Sequence, residues 1–169
     1  MNILVFSDSH GEAKRIEDVL RRQTITPDAI FFLGDGLRDI AWLNTSDAPL
    51  FSVRGNCDAE IDQMLLEFPI MAEYSYVFAD GLSMLLTHGH KINTDSAANL
   101  KDGEILIHGH THVLCIREFG RGNIYLNPGS TTYPKEGNPP SYMTYENGVF
   151  EIKHLESGEI IKKIDLRKE

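Results

Sequence analysis

Cysteine, tryptophan and basic side chains are scarce in this chain, and each scarcity narrows what it can be. Two cysteines, Cys57 and Cys115, make no disulfide framework in 169 residues. A chain of this length buries a sizeable core without such staples. Lysine and arginine number 16 against 25 aspartates and glutamates, a formal net charge of −9. That balance argues against stable nucleic-acid binding and against docking on an anionic membrane, both of which need basic patches. It leaves room for a small phosphorylated substrate, because bound divalent cations reverse the potential inside a site. No stretch approaches the roughly 20 apolar residues of a membrane span. Met1-Asn2 has no basic character and the apolar run behind it is four residues, so no secretory leader is expected. With 41% hydrophobic and 24% charged residues, the expectation is one soluble, cytoplasmic domain over residues 1–169. No internal repeat, low-complexity tract or linker divides it.

What the chain does have is one recurring phrase. Asn2-Ile3-Leu4-Val5-Phe6 runs into Ser7-Asp8-Ser9-His10-Gly11. Phe31-Phe32-Leu33 runs into Gly34-Asp35-Gly36, and Phe51-Ser52-Val53 into Arg54-Gly55-Asn56-Cys57-Asp58. Met84-Leu85-Leu86 precedes Thr87-His88-Gly89-His90, and Ile105-Leu106-Ile107 precedes His108-Gly109-His110-Thr111-His112. Ile124-Tyr125-Leu126 precedes Asn127-Pro128-Gly129-Ser130. Short unbroken apolar runs read as strands buried on both faces. The polar cluster always follows the run, and in open α/β sheets ligands sit beyond the carboxyl ends of the strands. An extended backbone would point Asp8 and His10 to the same side.

Helical spacing of Ile16, Val19 and Leu20 predicts a helix over Glu12–Arg22, its first amides directed at Asp8 and His10. A short helix follows Gly36, with Leu37, Ile40, Ala41 and Leu43 inward. Asp58–Pro69 is ambiguous: Ile61, Met64, Leu65 and Phe68 suit one helical face, and an ordered loop is the alternative. Asp80-Gly81 joins a hairpin of Tyr74–Ala79 with Leu82–Thr87, and Asn93–Leu100 is expected to be a short helix. A second hairpin turns at Gly120-Arg121-Gly122. The carboxyl end is a meander over Ser141–Glu146, Val149–Leu155 and Ile160–Leu166, with Asn147-Gly148 as a hairpin turn. The front half is βαβ-like and the back half mostly antiparallel, which suggests two packed sheets with helices outside.

Collected from the strand ends, the chemistry-bearing residues are Asp8, His10, Asp35, Asn56, His88, His110 and His112. A lone histidine or asparagine at a strand end is ordinarily a cap or a surface residue. Four imidazoles, two carboxylates and an amide, spread over five strand ends, are a metal-ligand set. Oxygen and nitrogen donors without thiolate suit Mn²⁺, Fe²⁺, Zn²⁺ or Ni²⁺. Seven donors exceed what one such ion takes once water and substrate bind, and they fit two ions sharing a carboxylate. Such a pair clamps in-line displacement at phosphorus.

The order Asp8-Ser9-His10, Gly34-Asp35, Gly55-Asn56-Cys57-Asp58, His88 and Gly109-His110-Thr111-His112 resembles the motifs of the calcineurin-like metallophosphoesterase superfamily. The resemblance runs from residue 3 to about residue 146. It is nearest to the small prokaryotic phosphodiesterases of the YfcE type, whose closing segment Asn127–Ser130 and Asn138–Tyr142 resemble. The resemblance implies a four-layer α/β/β/α sandwich, two mixed β-sheets flanked by helices. It implies that Asp8, His10, Asp35 and His112 hold one ion and Asp35, Asn56, His88 and His110 the other, with Asp35 bridging. It further implies two divalent ions, Mn²⁺ first among them, and direct attack of a metal-bound hydroxide on a small phosphoester.

One position departs from the superfamily pattern. The histidine proposed there to protonate the leaving oxygen is Cys57 here, as in the YfcE-type group. A thiol with a pKa of about 8.5 is a poorer general acid than imidazolium. That favours substrates with good leaving groups or another donor, for which His90 is the candidate. Asp58, which would orient that histidine, loses its partner. Asn56 and His90 are therefore the candidate catalytic side chains. His108 is expected to face into packing, and Arg54 to form a structural ion pair or touch phosphate. The segment 131–140 either forms a wall of the site, through Tyr133 and Lys135, or is a solvated connector. A phosphodiesterase is the leading reading. A phosphomonoesterase or nucleotidase with the same site is the alternative, followed by a non-catalytic metal-binding scaffold. Self-association into a homo-oligomer is left open.

Overall fold

The apolar runs other than Phe51-Ser52-Val53, which lies at a sheet edge, are unbroken because each of their strands is sandwiched between two cores. In the computed structural model, which describes residues 1–45, 48–59, 62, 72–96 and 100–167, Ile3, Val5, Ala29 and Phe31 point into an inter-sheet core. Leu4, Phe6, Ile30 and Phe32 alternate with them and point outward, onto Ile16 and Val19 of the first helix. Every second side chain thus serves a different layer, and none can be polar.

The first sheet has the order β11-β10-β9-β1-β2-β3. Its strands are β1 (Asn2–Phe6), β2 (Ala29–Phe32), β3 (Leu50–Ser52), β9 (Ser141–Glu146), β10 (Val149–His154) and β11 (Ile160–Asp165). The second has the order β4-β5-β6-β8-β7. It comprises β4 (Tyr74–Ala79), β5 (Leu82–Thr87), β6 (Ile105–His108), β7 (Cys115–Phe119) and β8 (Asn123–Asn127). Helices α1 (Ala13–Arg21) and α2 (Leu37–Ile40) lie on the first sheet's outer face, where Leu37 and Ile40 join Ile16 and Val19 in the core.

Both sheets are mixed, as expected. The first contains parallel β1–β2–β3 flanked by the antiparallel meander. The second, expected to be mostly antiparallel, has parallel β5–β6–β8 at its centre with an antiparallel strand on each side. The two parallel trios put six carboxyl ends at one edge of the sandwich. Hairpin chemistry fixes the antiparallel parts. Asp80 and Gly81 have φ of +54° and +75°, Asn147 and Gly148 +46° and +86°, the left-handed pairs a two-residue turn requires.

Two expected helices need correction or fall outside view. Residues 93–96 of Asn93–Leu100 form a bend and a turn, and 97–99 lie outside the described residues. On that outer face Ile92 and Leu100 pack on Leu85, Leu106 and Tyr125 without a described helix. The Asp58–Pro69 stretch is described only at Asp58, Ala59 and Asp62, so its apolar positions Ile61, Met64, Leu65 and Phe68 lie outside the described residues.

Candidate metal centre

All of the strand-end residues singled out in the sequence converge at the carboxyl edge, but not by strand alternation. Asp8, His10, Asp35, His110 and His112 all have positive φ, between +45° and +63°. Left-handed backbone is uncommon in residues with a Cβ and gathers where surrounding structure over-determines it. The constraints are on hand: Asp8 and His10 donate their N–H groups to Gly34 O and Asp35 O, 3.1 Å each. The expectation that an extended backbone aligns Asp8 with His10 is therefore replaced by a turn pinned to the end of β2. The turn that leads on into α1 is tied to Asp39 of α2. Gly11 N donates to Asp39 Oδ2 at 2.8 Å, and Ser9 Oγ donates to the same oxygen at 2.5 Å.

Asp8 is the centre of the arrangement. Its Oδ2 accepts from Ser7 Oγ (2.5 Å) and from the His110 N–H (3.0 Å). Its Oδ1 is buried and makes no hydrogen bond among the described residues, although His112 Nε2 is 3.2 Å away and His10 Nε2 3.9 Å. His10 Nε2 and His112 Nε2 are themselves 3.3 Å apart. Donor atoms about 2.1 Å from a common ion lie about 3.0–3.5 Å from each other at octahedral or tetrahedral angles. A second group forms around Asp35. His88 Nε2 lies 3.3 Å from Asp35 Oδ2 and 3.1 Å from Asn56 Oδ1. Asp35 Oδ2 is also 3.9 Å from His10 Nε2, so this one oxygen faces both groups, while Oδ1 accepts the Cys57 N–H at 2.8 Å. Asp8, Asp35 and His88 present ligand atoms all within 4.8 Å of one another, as do Asp8, His10 and His112.

The ring nitrogens facing away from the cluster are tied to carbonyls. His88 Nδ1 donates to Leu33 O and His112 Nδ1 to Tyr133 O, 2.7 Å each. A carbonyl only accepts, so both Nε2 lone pairs are turned inward, as metal ligation requires. His110 packs edge-on against His88 with ring centroids 5.0 Å apart. His90 sits 5.4 Å from the His88 ring, its buried Nδ1 without a hydrogen-bond partner among the described residues.

Charge in the ion-free protein follows this geometry. Burial raises the Asp35 carboxyl, but the hydrogen bond and charge of His88 and the Cys57 N–H outweigh it and hold it well below the usual range. Burial lowers His88, yet Asp35 and Asp8 raise it overall. His112 is raised chiefly by Asp8. Burial, with the His88 charge, pushes His110 and His90 down. Burial and the facing Asp35 push the Cys57 thiol up to about 11. His108, as expected, packs away from the cluster: its ring stacks on Tyr125 at 4.5 Å, and burial pushes it down to about 4.

Close approach of strand ends, between the two sheets at Gly109 and within the first sheet at Gly55, makes this possible. A Cβ on Gly109 would stand 1.8 Å from Ser7 Oγ, and one on Gly55 2.1 Å from Asp35 Oδ1. Only glycine admits the neighbouring chain at these two positions.

Several supporting residues escaped the sequence reading. Asp58 has not lost its work: it accepts the backbone N–H groups of Asp35, Gly36, Leu37 and Gly55 at 2.8–3.0 Å, locking the ends of β2 and β3 together. Asn127 Nδ2 holds the His110–His112 turn through Gly109 O (3.0 Å) and Thr111 Oγ1 (2.9 Å). Ser130 Oγ donates to Asp8 O at 2.8 Å. The motifs Gly-Asn-Cys-Asp and Asn-Pro-Gly-Ser carried these residues, but hydrogen bonds to distant backbone leave no periodic signal. Segment 131–140 is a wall and not a free connector. Its Tyr133 O holds His112, its Lys135 N–H donates to His112 O at 3.1 Å, and the Tyr133 ring lies 5.7 Å from His10. Arg54 makes no ion pair among the described residues; its Nε donates to Asp58 O at 3.1 Å.

Residues 1–148 match the family model described as the calcineurin-like phosphoesterase superfamily domain. The chain belongs to the calcineurin-like phosphoesterases. Within that superfamily it is 40% identical over 123 residues to "Phosphodiesterase YfcE" of Escherichia coli (strain K12). The match takes in 72% of this chain and 66% of that protein, just under two thirds of the relative's length. The solved structure of Yfce, a phosphoesterase from E. coli, superposes with a TM-score of 0.88 at 30% identity, covering 99% of this chain and all of that one. The Zn²⁺ complex of Vps29 from Entamoeba histolytica shares the fold at 24% identity, with a TM-score of 0.72 over 99% of this chain and 100% of that one. The two mixed β-sheets are thus the metallophosphoesterase sandwich, and the superfamily implies divalent metal.

Proposed function

We propose that this protein is a dinuclear metal-dependent phosphodiesterase that hydrolyses a small phosphodiester. One observation carries the reading: the buried Asp8 Oδ1 makes no hydrogen bond among the described residues and faces two imidazole Nε2 atoms, while Asp35 Oδ2 faces a third imidazole, that of His88. A buried carboxylate oxygen left unpaired costs free energy that a cation would recover. The donor set fits two ions. Asp8, His10, Asp35 and His112 would hold one, and Asp35, Asn56, His88 and His110 the other. Nitrogen and oxygen donors favour Mn²⁺ as the working ion, with Fe²⁺, Zn²⁺ and Ni²⁺ as alternatives.

When bound, such ions supply Lewis acidity, lowering the pKa of coordinated water and neutralising phosphoryl charge. The remaining steps fall to the chain. Leu33 O and Tyr133 O hold His88 and His112 in the tautomer that presents Nε2. Asn56 Oδ1 stands beside His88 Nε2, where it would serve as ligand, leaving the Nδ2 amide group to donate to a phosphoryl oxygen. Cys57, pushed up to about 11 in the ion-free protein, keeps its proton and is a weak donor to a leaving oxygen. His90 remains the candidate donor, within 5.4–6.2 Å of the His88 and His110 rings; an anionic substrate would raise the pKa that burial lowers. This favours diesters with good leaving groups over monoesters.

The 40% identity to a protein named phosphodiesterase supports the same choice. Residues 1–169 are read as one such domain, cytoplasmic, acting on a small molecule and not on nucleic acid, with homo-oligomerisation left open. No helix among the described residues is long and apolar enough to cross a membrane. The test is hydrolysis of bis(p-nitrophenyl) phosphate against p-nitrophenyl phosphate, after chelation and Mn²⁺ reconstitution, beside Asp35→Asn. Metal-dependent diester cleavage that exceeds monoester cleavage and is lost in Asp35→Asn supports the proposal. A monoester preference points to the phosphomonoesterase reading, and bound metal without turnover of either to the scaffold.

A further inference from the structure

Beside the cluster lies a cleft of about 340 Å³, lined by His10, Asp35 and Cys57 together with Arg38, Ala59 and Asp62. Among its described lining residues are four carboxylates and one guanidinium. Each carboxylate is committed inside the fold. Asp39 takes Ser9 Oγ and the Gly11 N–H, Asp58 takes four backbone amides, and Asp35 faces His88. Asp62 accepts the Ala59 N–H at 2.8 Å and pairs with Arg38 Nε.

That last pair is lopsided. The Asp62 side chain is 8% exposed and the Arg38 side chain 67% exposed. A buried acid therefore holds an exposed guanidinium at the rim of the cleft, through the nitrogen nearest the stem. An arginine bound through Nε keeps its end-on pair of amino groups, whose fork matches a phosphate or a carboxylate. In a chain of net charge −9 the overall field repels an anionic substrate, so attraction for a second anion has to be local.

We propose that Arg38 makes this enzyme select phosphodiesters whose second substituent carries a further phosphate or carboxylate, which the guanidinium receives end-on in the cleft. The proposal rests on the phosphodiesterase reading above and adds the substrate class. The cluster handles the scissile phosphoryl group; Arg38 recognises the part of the substrate lying along the cleft.

The test compares two chromogenic diesters differing by one phosphate. They are the p-nitrophenyl ester of thymidine 5′-monophosphate and the same compound bearing a 3′-phosphate, with a 3′-hemisuccinate as the carboxylate arm. Mn²⁺-reconstituted wild type, Arg38→Ala and Arg38→Lys are assayed beside bis(p-nitrophenyl) phosphate. In the wild type, kcat/KM for the 3′-phosphate compound should exceed that of the compound lacking it by about tenfold, mainly through KM, and Arg38→Ala should bring the ratio to about one. Arg38→Lys keeps the charge without the fork and should give an intermediate ratio; it also keeps the test decisive if the alanine variant does not fold. A preference shared by the hemisuccinate supports recognition of either anion, and a preference confined to the 3′-phosphate supports phosphate alone. A wild-type ratio near one overturns the proposal. So does a ratio that survives Arg38→Ala, or an equal loss on both compounds, which would mark the Arg38–Asp62 pair as structural. Turnover of bis(p-nitrophenyl) phosphate alongside a flat ratio overturns this proposal alone. No turnover of any diester overturns the phosphodiesterase reading and this one with it.

Discussion

His112 donates Nδ1–H to the carbonyl of Tyr133 at 2.7 Å, and its Nε2 stands 3.2 Å from Asp8 Oδ1. One imidazole thus joins a loop on the far side of the chain to the carboxylate after the first strand. His88 repeats the device with Leu33 O and Asp35. The carbonyls settle which nitrogen carries hydrogen, and hence which one is left for an ion. In protein loaded with diamagnetic Zn²⁺, ¹⁵N-resolved imidazole spectra should show His88 and His112 protonated at Nδ1 and not at Nε2. The opposite tautomer at either residue would sink this account of ligation.

Metal binding should stabilise the fold, because the unfolded chain has no preformed site. At free Mn²⁺ about 100 times its dissociation constant, the gain is about 2.7 kcal/mol, or roughly 5–10 °C in Tm for a chain of this size. Asp8→Asn removes the shared acceptor of the first group and should weaken metal binding by about 100-fold or more. Calorimetric scans with and without Mn²⁺, paired with metal analysis after gel filtration, read both effects. An unchanged Tm on metal addition to the wild type would argue against the site.

His108 makes acid stability testable in the ion-free protein. Its folded pKa of about 4 lies below the unfolded value of 6.5, so between those pH values the unfolded chain binds the proton first. Its contribution is fully present above about pH 6.5 and lost as pH falls towards about 4, by up to about 3 kcal/mol. Burial drives the shift, and the ring stacks on Tyr125. His88 and His112, with raised pKa values, act in the opposite sense. The comparison is therefore made by difference. His108→Phe keeps the stack and should lose less stability than wild type between pH 7 and pH 4.5 in urea titrations. Parallel wild-type and variant curves would refute the assignment.

Asp58 is 4% exposed and accepts four backbone N–H groups. Asp58→Asn turns one acceptor oxygen into a donor facing donors. The expected cost is about 2–4 kcal/mol in urea unfolding, with weaker metal binding as Asp35 loses its anchor. A variant as stable as wild type would show that the residue acts through chemistry at the site instead.

Much of this protein was legible in its residues one by one. The apolar runs were strands because every second side chain had to serve a different core. The polar clusters were a site because they followed the runs, and parallel strands bring their carboxyl ends to one edge. Asp80-Gly81 and Asn147-Gly148 specified their turns, since only such pairs enter left-handed backbone cheaply. These signals are local, and a sequence carries them whatever surrounds it. What the sequence left open depends on contacts between segments far apart in the chain. Strand order put β6 between β5 and β8 and made the second sheet's centre parallel, which no periodicity records. The turns at Asp8 and His10 replaced the extended backbone expected there because β2 holds their amides. Asp58 gained four donors, Tyr133 O gained His112, and Arg38 gained Asp62, each across a span of chain that only folding closes. A hydrogen bond between remote residues has no period and no spacing, so only the tertiary structure could decide it.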